Sequence, residues 1–265
     1  MRQSVSFWQD GFRRLLKNKV ALASLAVFFV ILILAFIVPI FYPYNYAIQL
    51  KGSERLMPMQ YSAGELARIA AGEKVFPHIL GTDSLGRDYA IRVMMGARIS
   101  LIVGLLASFI VLIIGSIYGS VAAFTGGWVD LIMMRIVDII YTVPDILLII
   151  LLTFALKKPM KLLASAPGFG WINVLGINLI SIFIVFALLY WVGMARIVRG
   201  QILVLKEQEY VTAARALGAK SGQIIRKHLL TNTIGTLIVT TTLQIPSAIF
   251  TESYLSFLGL GATPP

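Results

Sequence analysis

EYVTAARALGAKSGQIIRKHLLTN, residues Glu209–Asn232, is a polar, basic, helix-prone stretch lodged between two membrane-length apolar runs. Glu209 to Leu217 reads as a short helix, and Gly218 stands where a left-handed residue would end it. Ser221 is placed to cap a second helix, Gln223 to Leu230, leading into the next apolar run. Ala213, Ala214 and Ala216 leave a low-relief surface, while Tyr210, Val211 and Leu217 offer apolar anchors. Small residues admit close approach and protruding anchors enter a groove, which is the logic of a helix docking into a partner. The alternative is an amphipathic helix lying on lipid. Three alanines make a poor lipid anchor, so docking is the preferred reading.

Composition sets the solvent. The 265 residues are 58% hydrophobic and only 13% charged, too little polar surface to cover a soluble core of this size. The fold class expected is an all-α membrane protein, a polytopic helix bundle. Cysteine is absent, which excludes disulfides and thiolate metal sites, and two histidines do not make a histidine-based metal centre. A net charge of +11 is explained by basic residues flanking spans at an anionic leaflet. Membrane lipid, not nucleic acid, is the partner this implies.

About 20 apolar residues cross the hydrocarbon core as a helix. Runs of that kind cover 20–41, 99–124, 129–156, 174–191 and 233–257. The first is too long for a signal-peptide core and lacks a small-residue cleavage site, so it reads as a retained anchor. The segment 1–19 carries Arg2, Arg13, Arg14, Lys17 and Lys19 against Asp10, which places it in the cytoplasm. Alternation then puts 42–98 outside and 192–232, with its own seven Lys and Arg, inside. The 42–98 segment holds a short helix-compatible stretch after Tyr61 and reads as a small ordered cap, with Ile91 to Arg98 as a lead-in to the second span.

Within that cap, Gly81-Thr-Asp-Ser-Leu-Gly86-Arg87-Asp88 has the glycine spacing of a phosphate loop. Arg and Asp stand where Lys and Ser/Thr are required, and no buried strand precedes it. The chain therefore binds no nucleotide or other cofactor itself. The residue types suit a structural turn, with Asp83 and Asp88 near Arg87 and Arg92, or a contact with a substrate partner. Gly115 and Gly119 read as bundle packing. In the third run, Asp138 and Asp145 are seven apart, on nearly one helix face, with Arg135 placed to pair with Asp138 and Pro144 set to kink the helix. Intramembrane acids mark a pathway or an ion pair. Asp138, Pro144, Asp145 and, in the fifth run, Glu252 are the pathway candidates on one reading and structural on the other.

These residues resemble the permease subunits of ABC importers. The coupling motif of that family reads EAA, three residues, Gly, nine residues, then I-x-L-P. Thr212-Ala213-Ala214, Gly218 and Leu230 fall at those spacings, with Thr212, His228 and Thr231 in place of Glu, Ile and Pro. The segment His78-Ile-Leu-Gly-Thr-Asp-Ser-Leu-Gly-Arg-Asp88, with Arg92 and Gly96-Ala-Arg-Ile-Ser-Leu101, is similar to the outer-loop signature of the oligopeptide and dipeptide permeases. So are Ala195-Arg-Ile-Val-Arg-Gly-Gln201, Glu209 to Gly218, His228 to Asn232 and Leu255-Ser-Phe-Leu-Gly-Leu-Gly261. The chain resembles the C-type subunit of that family.

The resemblance implies a type I importer transmembrane domain in a bacterial inner membrane. It implies a second, different permease, two cytoplasmic ATPase subunits holding ATP and Mg²⁺, and an extracytoplasmic peptide-binding protein. Glu209, Tyr210, Val211, Ala213, Ala214, Arg215, Leu217 and Gly218 would then take the stroke of the ATPase, with Arg215 facing its acids. A sixth span after residue 265 is expected, since family members continue past the Leu255–Gly261 segment. Cargo within the family is peptide, glutathione or chelated nickel. A stand-alone ion or solute channel is the competing reading from another class. A membrane enzyme lacks a nucleophile or a paired acid and base.

Overall fold

The computed structural model describes residues 7–261, so Arg2 and Pro264-Pro265 lie outside the described residues. These residues fall into two compact units, up to Ile99 and from Ser100 onward. Helices account for all regular structure described apart from one isolated antiparallel bridge, Thr82 to Asp88.

In the first unit α1 (Phe7–Lys17) is followed at once by α2 (Lys19–Phe36), whose start is capped by Asn18 accepting from the Val20 and Ala21 N–H groups. The α2 helix is apolar on every side and exposes Val27, Phe29 and Val30, as a helix solvated by lipid does. Pro39 in α3 (Val38–Phe41) has no N–H to give the Ala35 carbonyl. Arg98 takes that carbonyl instead, at 2.9 Å through Nε, and reaches the Phe36 carbonyl at 3.2 Å. A long connection carrying α4 (Ala63–Ala70) leads to α5 (Tyr89–Thr125), which begins in the first unit and continues into the second. The lead-in Ile91–Arg98 and the second apolar run are therefore one helix.

In the second unit the third apolar run is not one straight helix. It divides into α6 (Gly127–Thr142) and α7 (Asp145–Ala164), set at 89° to each other. Val143 is extended (φ −88°, ψ 135°) because the residue before a proline is pushed out of the α region. Pro144 then stands as the cap of a new helix, whose first residue is Asp145. A carboxylate suits that position, facing the positive end of the helix dipole. Asp138 and Asp145 thus do not share a helix face.

After α8 (Trp171–Leu175), Gly176 (φ +91°) separates it from α9 (Ile177–Leu189), which runs on through Tyr190 into α10 (Trp191–Leu205). Together they make one membrane-length helix, fourteen residues past the expected end at 191. It continues because Val192, Ala195, Val198 and Ile202 keep burying one face. The polar segment 192–232 is therefore helical to Leu205 and turns only there. It contains α11 (Glu209–Ala216) and α12 (Ser221–Ile224), then a π turn (Ile225–Leu229) that joins α13 (Leu230–Phe257). Gly115 and Gly119 on α5 let α10 approach: a Cβ at Gly115 would meet Met194 at 2.6 Å, and one at Gly119 would overlap the Ala195 carbonyl.

Candidate coupling site and its supports

The α11 helix is eight residues long and is shaped by its ends. Gln208 enters extended, Glu209 lies in the first turn and Arg215 in the last, each favourable to the helix dipole. Beyond the Leu217 cap, Gly218 takes φ +79°. Its N–H donates to the Arg215 carbonyl at 2.9 Å, and the Ala219 N–H donates to the Ala214 carbonyl at 3.1 Å. These two bonds form a Schellman motif, and the left-handed residue it requires is the glycine.

One face of α11 is spoken for. Val211 and Ala214 are buried in a cluster with Val198 and Ile202 of α10, Ile224, and Leu229 at the π turn. Val211 is therefore an inward support and not an anchor for a partner, and Ala214 is likewise inside. The opposite face carries Tyr210, Ala213, Arg215 and Ala216, ending at Leu217, which is 88% exposed. The Arg215 guanidinium lies 5.0 Å from the centre of the Phe124 ring. Tyr210 accepts from the Asn232 amide at 3.2 Å, and that amide also donates to the His228 carbonyl, which ties α11 to the foot of α13.

One expectation about the following segment changes. Ser221 is the first helical residue and Lys220 the cap, without a side-chain bond. Thr231, standing where the motif has proline, keeps its N–H, so the chain passes through the π turn into α13 without a break; Pro246 lies further along.

Two ion pairs, one part-buried and one exposed, join α6 to α10. Asp130 accepts from Nε and Nη2 of Arg199, both at 2.6 Å. Asp138 accepts from Arg196 at 2.7 Å, not from Arg135, and the Arg196 guanidinium lies 4.2 Å from the Tyr141 ring centre. Pro144 and Asp145 are exposed at the break between α6 and α7. Glu252 is buried and accepts from the Ser256 hydroxyl at 2.6 Å. The four pathway candidates have different settings: one is ion-paired, two mark a helix break, and one is closed into its own helix. Sequence reasoning missed the Asp130–Arg199 pair. Its signal was two arginines three apart beyond one apolar run and two acids in another.

The connection before α5 is closed on itself. Ser62 and Glu65 form a capping box at the start of α4. The His78 ring is fully buried, with Nδ1 2.7 Å from Asp88 and Nε2 3.0 Å from Glu65. Asp88 also caps α5 by accepting the Ile91 N–H at 3.0 Å. Tyr44 stacks on His78 at 4.3 Å and donates to the Phe76 carbonyl. Burial pushes the Tyr44 phenol up to about 12, helped by Glu65 and Asp88. Burial alone would raise Glu65, but the Ser62 N–H and hydroxyl and the neighbouring His78 bring it below its ordinary value.

Asp83 is the second centre of this segment. It accepts the Leu85 and Arg87 N–H groups at 2.8 and 3.0 Å, the Arg87 guanidinium at 2.8 Å, and Arg92. Against the upward pull of burial, those bonds hold its carboxyl at about 2. Gly81 and Gly86 have φ of +74° and +72° and pass against the Leu56 and Leu50 carbonyls, where a Cβ would overlap. Asp88 belongs with His78 rather than with the arginines. Glu65 and His78 were not singled out from sequence, since 13 residues separate them.

Two family descriptions match the chain. Residues 115–265 match "Binding-protein-dependent transport system inner membrane component", and residues 6–58 match "N-terminal TM domain of oligopeptide transport permease C". The dipeptide transport system permease protein DppC of Bacillus subtilis is 42% identical over 264 residues, covering 100% of this chain and 72% of the relative. The oligopeptide transport system permease protein OppC of the same organism is 39% identical over 264 residues, 100% of this chain and 75% of the relative. OppC of Haemophilus influenzae is 37% identical over 260 residues, 98% of this chain and 73% of the relative. With helices long and apolar enough for four membrane spans and one bent pair besides, the chain belongs to the inner-membrane permease family of binding-protein-dependent ABC importers, as a multi-pass transport subunit.

Proposed function

We propose that this subunit forms half of the translocation pathway of a peptide importer and is driven through α11. The observation that carries the reading is the division of that helix. Val211 and Ala214 bind it to α10, while Ala213, Ala216 and a protruding Leu217 are left as a low, apolar surface. A cytoplasmic ATPase subunit receives that surface in a groove, and Glu209, Tyr210, Arg215 and Gly218 frame it. A second, different permease completes the pore, two ATPases hold ATP and Mg²⁺, and an extracytoplasmic binding protein delivers cargo. The basic segment with Arg13, Arg14, Lys17 and Lys19 keeps the N-terminus in the cytoplasm.

Peptide is the cargo favoured by the names of the relatives, which are dipeptide and oligopeptide permeases. The phosphate-loop lookalike is closed by its own bonding. In the glycine-spaced loop 81–88, the Leu85 and Arg87 amides already serve Asp83, the Gly86 amide donates to the Asp83 carbonyl, and the Asp83 amide donates to the Arg87 carbonyl. No run of free N–H groups is left for a phosphate.

Reconstitution with the partner permease, both ATPases and the binding protein tests the reading. Labelled dipeptides and oligopeptides should enter only with ATP. Uptake confined to glutathione or a nickel chelate would change the cargo, and flux through this chain alone would make it a channel.

A further inference from the structure

The stroke received at α11 has to reach the part of the pathway that opens. The route begins rigidly: α11 follows α10 after Lys206, Glu207 and Gln208, and buries Val211 and Ala214 against Val198 and Ile202. The next step, from α10 to α6, is held by apolar contact and by two ion pairs. Val137 packs with Trp191, Val192 and Ala195. Such packing resists separation, yet between helices in lipid it has little hydrophobic force behind it, and it does not forbid sliding. The ion pairs do. Asp130 and Asp138 are eight residues apart on α6, about 12 Å along its axis, and they meet Arg199 and Arg196 in antiparallel order. One attachment makes a pivot; two so far apart fix both register and rotation. Loss of Arg199 would leave the largely covered Asp130 carboxylate uncompensated, while the more exposed Asp138–Arg196 pair adds chiefly to the register. Just past the second attachment, α6 ends at Thr142 and the chain breaks by 89° at Val143 and Pro144.

We propose that Asp130, Arg199, Asp138 and Arg196 are positioning residues that make α6, α10 and α11 move as one body, delivering the stroke to the elbow at Val143-Pro144. This rests on α11 being the docking helix.

The full transporter in proteoliposomes tests it by peptide taken up per ATP hydrolysed. Asp130→Asn should lower that ratio roughly fivefold or more while ATP hydrolysis continues, and the reversed pair Asp130→Arg with Arg199→Asp should restore much of it. Because the chain has no cysteine, paired labels on this subunit are free of background. With Ile132→Cys and Thr212→Cys, the latter exposed on α11 and outside the surface formed by Ala213, Ala216 and Leu217, the distance between α6 and α11 should be the same in nucleotide-free and ATP-trapped states. With Ile132→Cys and Leu151→Cys, the distance across the elbow should change. An α6 to α11 distance that shifts between states overturns the proposal, and decides the matter even if Asp130→Asn fails to assemble. An unchanged uptake ratio in an assembled Asp130→Asn transporter also overturns it. Ala213→Glu run alongside separates the two ideas: if it leaves the ratio intact, the docking helix itself is wrong, whereas loss there with retention in Asp130→Asn removes only the ion pairs.

Discussion

The connection from Tyr42 to Asp88 and the helix α11 are two polar insertions between apolar runs, and they treat their functional groups in opposite ways. In the first, the charged centres turn inward: His78 is shared by Glu65 and Asp88, and Asp83 gathers two amides and two guanidinium groups. In the second, Val211 and Ala214 are buried and Tyr210 and Arg215 are held by Asn232 and the Phe124 ring, while the tip of the helix puts Leu217 into the open. A segment that satisfies itself is a scaffold. The connection too exposes apolar side chains, Met57, Met59 and Leu66 among them; what sets α11 apart is a face fixed to α10 opposite a protruding Leu217 flanked by small residues, a shape that suits a groove.

The comparison breaks first at His78. His78→Ala would leave two buried carboxylates without their common hydrogen-bond partner, a loss of about 1–3 kcal/mol for each group left unsatisfied. The expected outcome is a connection that proteases cut and a subunit that fails to assemble, read by limited proteolysis and by recovery of the complex. Ala213→Glu should behave in the contrary manner. The site is exposed, so stability should change by no more than about 0.5 kcal/mol, yet a carboxylate forced into a docking groove should cut peptide uptake per ATP by roughly tenfold or more. If both variants damage assembly alike, the contrast between scaffold and docking surface is lost.

The two regions also differ in how far the sequence discloses them. The end of α11 is legible because Gly218 is a local signal: one residue type fits the left-handed position after a short helix. Which face of α11 is inward is not legible, since an eight-residue helix with alanine on several sides says little until α10 is known to run on to Leu205. Pro144 is visible as a disturbance, but a kink and a full break differ by the tertiary setting of α7, which packs on α9. The pairs Asp130–Arg199 and Asp138–Arg196 join residues 69 and 58 positions apart. No local pattern chooses those over Asp138 with Arg135, three residues away. In the connection, the glycine turns at 81 and 86 are readable as turns, while the burial of His78 depends on Glu65 arriving from α4.

Acid offers a milder way to probe the scaffold. Asp83 has a folded-state value of about 2 against an ordinary 3.8, so its charged form stabilises the fold above the ordinary value. That contribution is lost as pH falls from about 4 to about 2. Protease resistance of the 42–88 connection should hold at pH 5 and weaken through that window. Asp83→Asn should already be weakened at pH 5, and the Asp83 share of the acid response should disappear from it.

The smallest effect separates folding from function most cleanly. Leu217 is 88% exposed, so Leu217→Ala takes almost no burial from the folded subunit, and its thermal stability should match the parent within about 0.5 kcal/mol. In the assembled transporter the same side chain would enter the ATPase groove. Truncating it there should remove about 1 kcal/mol of contact, near a fivefold loss in coupling, milder than Ala213→Glu because nothing charged is introduced. The measurement is uptake per ATP at several ATPase-to-permease ratios, since a weakened dock is partly rescued by excess partner and a damaged pathway is not. Rescue would assign Leu217 to docking. A defect that excess ATPase leaves untouched would move it to the transport step, and no defect at all would make the exposed leucine a bystander and return the docking role to the alanines alone.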